Sequence, residues 1–298
     1  MSTPNVSNPD VSNPDKVFFP DVGLTKRDIV DYYARIADHM LPFVAGRPLV
    51  LERFPDGLGG EGFYQKNVPS HVAESIERVE IAKVGGGTTT YAVVHDVADV
   101  VRLADQAALV WHTLLADADS PDRPVEVVFD LDPSGDDTAP IRRTARALHE
   151  LLDELDLAPR VKSSGSRGLH VVVDVTDDDA DFDLAKEFAN AVAARVVEQC
   201  EDVTTEQRKD RRRGRLFLDT LRNSPANHAV APYSVRAIPG APVAAPLDWD
   251  EALSTNFDPQ RITVANVFRR LGQRDDPWSD RDRPAATIAD ALARLEES

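Results

Sequence analysis

Cysteine is nearly absent from this 298-residue chain: Cys200 stands alone, so no internal disulfide framework is possible. Lysine is scarce too, seven residues against 27 arginines, and the 34 basic residues fall short of 51 acids for a formal net charge of −17. A chain of that sign has no global positive field to gather nucleic acid, so any polyanion site must be local. Long apolar runs are missing. None approaches the ~20 residues of a membrane span, and no signal peptide is read at the start. These absences point to the reducing cytoplasm and to no membrane partner. Among the acids, Asp outnumbers Glu 36 to 15, a balance of surfaces adapted to high salt. The expected result is an unfolding midpoint that rises with KCl; a flat response would remove the adaptation.

Length leaves room for a substantial core in about two lobes, and punctuation divides the chain further. Val-Ser-Asn-Pro-Asp occurs twice in residues 6–15, in a proline-broken, apolar-poor segment expected to be a disordered arm over 1–14. Thr25 is the expected N-cap of a helix carrying Ile29, Tyr33, Ile36 and Met40 at helical spacing, with Lys26 at its N-terminus. Short β-type runs broken by glycine follow from Pro48, bringing Arg53, Tyr64 and Lys66, and Gly85-Gly86-Gly87 reads as a turn feeding a strand. A helix over 97–108 is expected to deliver Trp111 and His112. Later helices are expected after Pro140, over 184–197, over 259–271 and over 286–295. The acidic run 174–183 and the basic run 208–215 read as solvated loops.

The chemistry concentrates in Glu126-Val127-Val128-Phe129-Asp130-Leu131-Asp132-Pro133-Ser134-Gly135. Strand alternation puts Asp130 and Asp132 on one face, roughly 7 Å apart, while Phe129 and Leu131 face the core. Two carboxylates at a strand's end suit Mg²⁺ or Mn²⁺. Three readings stay open on the pair alone: half of a metal site, a phosphotransferase with Asp130 as nucleophile, or a surface acidic turn. An EF-hand fails, because position twelve of such a loop would be Ile141 rather than Glu. In Ser164-Gly165-Ser166-Arg167-Gly168-Leu169-His170, small residues open the backbone to a phosphate while the hydroxyls, Arg167 and His170 supply donors. Joined to the aspartates it describes a site for a metal-bound triphosphate. Asp219 ends another apolar strand and offers a third carboxylate. Arg236, in Pro232-Tyr233-Ser234-Val235-Arg236, either takes phosphate or pairs with one of many acids.

Taken in order, Phe129-Asp130-Leu131-Asp132-Pro133, Ser164 to His170, Phe217-Leu218-Asp219 and Ala231-Pro232-Tyr233-Ser234-Val235-Arg236 resemble the polymerase domain of bacterial ligase D, of the archaeo-eukaryotic primase superfamily. The resemblance runs from about residue 15 to the last helix. It implies an α/β fold of the α+β type: a mixed, largely antiparallel sheet flanked by helices, with a smaller N-terminal lobe over about 15–110, a catalytic core over 111–250 and C-terminal helices over 251–298. It implies a template-directed nucleotidyltransferase of nonhomologous end joining, with Asp130, Asp132 and Asp219 as ligands of two Mn²⁺ or Mg²⁺ ions. Ser164, Gly165, Ser166, Arg167, His170 and Arg236 would hold the triphosphate of an NTP or dNTP, and His112 would touch its ribose, favouring ribonucleotides. Tyr64 would be a platform for a base, in a position where the family commonly has Phe, and Arg167 stands where Lys is frequent. Lys16 and Lys26 would grip the 5′-phosphate of a DNA end, gap or primer-template. Implied partners are the end-binding and ligase proteins of the pathway, near the nucleoid. The alternatives are an aspartate-nucleophile phosphotransferase and a non-catalytic DNA-end-binding module.

Overall fold

The computed structural model describes residues 10–68, 76–82, 86–279 and 285–297. The short pair β1 (Val17–Phe19) and β2 (Leu24–Thr25) leads into α1 (Lys26–Val44). Thr25 caps this helix as expected: its hydroxyl accepts from Asp28 N–H while the Asp28 carboxylate takes the Thr25 N–H, a capping box. The first large sheet follows with β3 (Leu49–Arg53), β4 (Phe63–Gln65), β5 (Glu77–Ala82) and β6 (Thr88–Val93), then α2 (Val97–Asp105) and β7 (Ala108–Leu114). Next come β8 (Glu126–Asp132), α3 (Ala139–Glu154), β9 (Arg160–Ser163), β10 (Leu169–Asp174) and α4 (Phe182–Gln199). The chain closes with β11 (Val203–Thr204), β12 (Leu216–Asp219), β13 (His228–Val230), β14 (Pro246–Leu247), α5 (Trp249–Ala252), α6 (Val267–Leu271) and α7 (Ile288–Glu297). None of the described helices is long and apolar enough to cross a membrane.

Two sheets carry the architecture. One runs β13-β7-β3-β6-β5 with β4 added to β3; the other runs β11-β12-β8-β10-β9-β14. Their ladders are antiparallel except for β11 with β12, in keeping with the expected mixed, largely antiparallel α/β fold. Because β8 alternates, Val127, Phe129 and Leu131 are buried toward α3 and α4, where Phe129 meets Phe188 edge to face. Glu126, Asp130 and Asp132 point the other way, toward the first sheet, where Arg47 reaches Glu126 at 2.8 Å. One continuous apolar cluster spans both sheets and their helices.

Several local expectations shift. Helix α2 stops at Asp105 because Ala107 turns to φ +61°, so Trp111 and His112 arrive on strand β7 and not at a helix end. A lobe boundary at 110 would cut β7, which β13 from far downstream completes on its other side. Residues 1–9 lie outside the described residues, but the fold begins before residue 15: Val11 is buried, and the Ser12 N–H donates to Asp105 at 2.9 Å. Of the segment 259–271 only α6 is helical, the rest being turns and bends with a β-bridge from Thr263 to Pro242. The acidic run is largely structural: Asp174 pairs with Arg160, Asp177 accepts from the first amides of α7, and Asp181 caps α4. Helix starts attract carboxylates because their N–H groups have no partner within the helix. Gly85 is outside the described residues; Gly86 and Gly87 take positive φ before β6, as a turn feeding a strand requires.

Candidate active site

The strand pairing puts the three aspartates together. Asp219 on β12 lies directly opposite Asp130 on β8, and Asp132 follows two residues on along the same face. Where β12 ends, the fully buried Asn223 takes over its role: its side-chain oxygen accepts from Val128 N–H at 2.8 Å and its amide donates to Val128 O at 2.9 Å. Like charges so close demand counter-charge. Arg222 stands 3.4 Å from Asp130 and 3.7 Å from Asp219, while Arg167 (2.9 Å) and Arg212 (3.4 Å) take the two oxygens of Asp132. Burial, with Asp219 and Asp132 adding to it and Arg222 opposing, pushes Asp130 up to about 6. Among the described residues, no group of three or more His, Cys, Asp or Glu stands ready as a cation cage. The donors are nevertheless hard carboxylate oxygens whose mutual repulsion a divalent ion would relieve, so the residue set fits such an ion.

Beside the carboxylates lies the loop from Ser164 to Gly168. The Ser164 hydroxyl accepts from the amides of Ser166 (3.2 Å) and Gly168 (3.1 Å), holding the loop in a tight arch. Both glycines are forced. Gly165 adopts φ +64° with a would-be Cβ 2.7 Å from the Val243 carbonyl carbon, and a Cβ at Gly168 would sit 1.9 Å from Leu131 O. The loop can approach β8 this closely only without side chains. His170 follows on β10 directly opposite Asp130, its Nε2 3.5 Å from Oδ1. Arg167 points at Asp132, so in this state its charge serves the carboxylates.

The opposite wall comes from the first sheet. His112 on β7 is buried, with Glu52 at 3.7 Å from Nε2, and it meets His228 of β13 edge to face at 4.8 Å. Tyr64, among the few exposed large apolar side chains, lies 5.9 Å from the His112 ring and 6.2 Å from that of His228. Burial raises the Tyr64 hydroxyl to about 12, with Glu52 adding to the shift. It also lowers both histidines, His228 to about 4 with Lys66 and Arg222 contributing, so both rings are neutral near pH 7. Arg236 enters from the segment after β13. That segment is pinned by α1, since the Tyr33 hydroxyl accepts from Val235 N–H and the Tyr32 hydroxyl donates to Tyr233 O. Together these groups line a cleft of about 370 Å³ that holds Tyr64, His112, Asp130, Asp132, Ser164, Ser166, Arg167, His170, Asp219 and Arg236. The Nδ1 atoms of His112, His170 and His228 are buried there without a hydrogen-bond partner. Buried polar atoms are seldom left so, and three in one cleft mark where a polar ligand belongs.

Lys16 and Lys26 lie elsewhere, in a second hollow of about 230 Å³ lined also by Ser12, Asn13, Arg53 and Asp105. Lys26 Nζ donates to Ser12 O (2.7 Å) and pairs with Asp105 at 2.8 Å; Lys16 pairs with Asp56 at 2.9 Å. Sequence reasoning missed Arg212, Arg222, His228 and Glu52. Arg212 belongs to the basic run read as a solvated loop, yet it is buried over Phe217 and reaches Asp132. Its only signal was proximity to the strand carrying Asp219.

A mixed two-sheet fold with paired strand-borne aspartates facing a glycine-arched loop defines a domain of the primase-polymerase class. The family model described as LigD, primase-polymerase domain, matches residues 25–278, and the chain belongs to that family, whose enzymes are of the nucleotidyltransferase type. It is 34% identical over 286 residues to the multifunctional non-homologous end joining protein LigD of Mycolicibacterium smegmatis, covering 93% of this chain and 36% of that protein. With the bifunctional LigD of Bacillus subtilis it shares 29% identity, over 94% of this chain and 46% of the relative. The chain thus spans less than half the length of these relatives. The polymerase domain of Mycobacterium tuberculosis ligase D, solved in complex with DNA, superposes with a TM-score of 0.85 at 32% identity, covering 93% of this chain and all of that one.

Proposed function

We propose that this chain is a template-directed nucleotidyltransferase that extends primers or fills gaps at broken DNA ends, with ribonucleotides preferred, in nonhomologous end joining. The observation that carries the reading is the meeting of Asp130, Asp132 and Asp219 with the Ser164-to-His170 loop in one cleft. The three aspartates would hold two divalent ions, Mn²⁺ or Mg²⁺, which when bound supply Lewis-acid stabilisation of the charge that develops at the α-phosphate and on departing pyrophosphate. The arched loop, His170 and Arg236 would orient the triphosphate, and Tyr64 would stack on a base. His112, neutral and with Nδ1 free, is suited to read a ribose hydroxyl as donor or acceptor. An aspartyl-phosphate mechanism needs a free nucleophilic carboxylate, whereas the Asp130 carboxylate is shared with His170 and Arg222 and stands opposite Asp219. Primer extension with NTP against dNTP, and with Mg²⁺ against Mn²⁺, is the test; binding of ends with no incorporation under any pairing would leave only an end-binding module.

The Lys16 and Lys26 hollow would receive the 5′-phosphate of the downstream strand, a compact cationic feature suited to DNA on a chain of net charge −17. The Lys26→Ala variant is expected to lose the preference for a 5′-phosphorylated gap by roughly tenfold or more, since a charge-assisted contact contributes about 1.5–3 kcal/mol. Gapped duplexes with and without the phosphate, compared by fluorescence anisotropy, measure this. Equal wild-type affinity for both would end the assignment.

A further inference from the structure

The pairing register builds a row across four strands of the second sheet: Asp219 on β12, Asp130 on β8, His170 on β10 and Lys162 on β9 are successive lateral neighbours. Directly opposed residues share a face, so all four side chains rise on the side that bears the cleft. The first three belong to the site already described. Lys162 does not line the cleft; it stands behind His170, shut in at the sheet edge by Pro246 of β14.

Its state is unusual. Lys162 is 3% exposed, and its Nζ is buried without any hydrogen-bond partner. Lysine is almost never fully buried unless paired, because an isolated ammonium loses its hydration. The acids nearby are already served: Glu126 by Arg47 at 2.8 Å, and Asp130 by Arg222 and His170. The charged and titratable groups whose fields meet at Lys162 are Asp130 and Glu126 from β8, His170 from β10, His112 from β7, and Arg236. Burial first and Arg236 second bring the amine down to about 7, and Asp130 and Glu126 oppose the fall. The protein therefore holds a buried amine with no partner of its own, whose charged form costs stability unless the negative charge of a ligand compensates it.

We infer that Lys162 is a positioning residue for the anionic phosphates of the nucleotide, a buried counter-charge behind His170 and Arg236 whose charged form is favoured only when the triphosphate enters. The inference rests on the nucleotide reading of the cleft. Acting through a low-dielectric wall, the charge draws the triphosphate toward His170 and Arg236 without touching it. Its effect falls on nucleotide binding more than on the chemical step.

The experiment compares the wild-type chain with Lys162→Met, which keeps length and apolar stem but removes the charge, and with Lys162→Arg, which keeps the charge. Dissociation constants for ATP with Mn²⁺, KM and kcat in primer extension, and thermal midpoints are measured for all three. Lys162→Met is expected to weaken ATP binding and raise KM by tenfold or more, to change kcat by less than threefold, and to leave the thermal midpoint equal or higher. Binding of a 5′-phosphorylated gap should be unchanged, and Lys162→Arg should recover most of the nucleotide affinity. Lys162→Met binding ATP within twofold of wild type would overturn the inference. So would a lower midpoint with ATP and gap binding lost together and no recovery in Lys162→Arg, which is the signature of a structural residue. Wild-type protein that binds no ATP would instead refute the nucleotide reading itself, before any variant is compared.

Discussion

Replacing Asp132 by Ala is expected to abolish primer extension, by three orders of magnitude or more, while the protein stays folded. The magnitude follows from the several kcal/mol of transition-state charge stabilisation that a bound divalent ion contributes, with each ~1.4 kcal/mol worth a factor of ten. Folding should survive because Asp132 sits at the end of β8 with its carboxylate on two arginines, outside the apolar face of the strand. Removing one acid from a cluster of three also relieves repulsion. Steady-state extension and a thermal melt, run on the same preparation, check both halves. Retained extension would remove Asp132 from the metal set and, with it, the proposed mechanism.

The largest stability effect is expected at Asn223, a residue with no part in the chemistry. Beyond Asp219 the strand β12 has ended, and the Asn223 side chain supplies both the donor and the acceptor that Val128 of β8 would otherwise lack. Its amide also closes the turn onto Thr220 O at 3.0 Å. Asn223→Ala would strand a buried N–H and a buried C=O in the central strand, each costing about 1–3 kcal/mol. A fall in thermal midpoint on the order of 10 °C follows for a chain of this size. Activity should fall as well, because the same contact keeps Asp219 in register with Asp130. A midpoint within two degrees of wild type would show that water replaces the side chain at no cost.

Local patterns were legible where the physics is local. The capping box at Thr25 and Asp28, the alternation that turns Phe129 inward and Asp130 outward, and the glycines of the 165–168 arch need only neighbouring residues to be read. The segment 97–108 shows the limit: its apolar periodicity is helical to Asp105, but the positive φ at Ala107 and the pairing of β7 with β3 come from residues about sixty positions upstream. The basic run failed differently. Charge content alone says solvated loop, whereas Arg212 is drawn over Phe217 by a cation–π contact and toward a carboxylate eighty residues away. His228 and Glu52 carried no pattern at all, since each becomes part of the cleft only through strand pairing.

By itself the sequence singled out the groups proposed to do chemistry: two aspartates on one strand face, a glycine-arched loop with its histidine, and a third aspartate ending another strand. Side-chain period and the forced conformations of small residues are properties of a few consecutive residues, so they survive without a structure. Tertiary structure alone decided how those groups meet. Cross-strand register set Asp219 against Asp130 and Lys162, its amine partnerless, behind His170, and sheet packing enclosed the aspartates with neutral histidines. Charge and burial at a point depend on every chain segment that reaches it, and no stretch of sequence contains that sum.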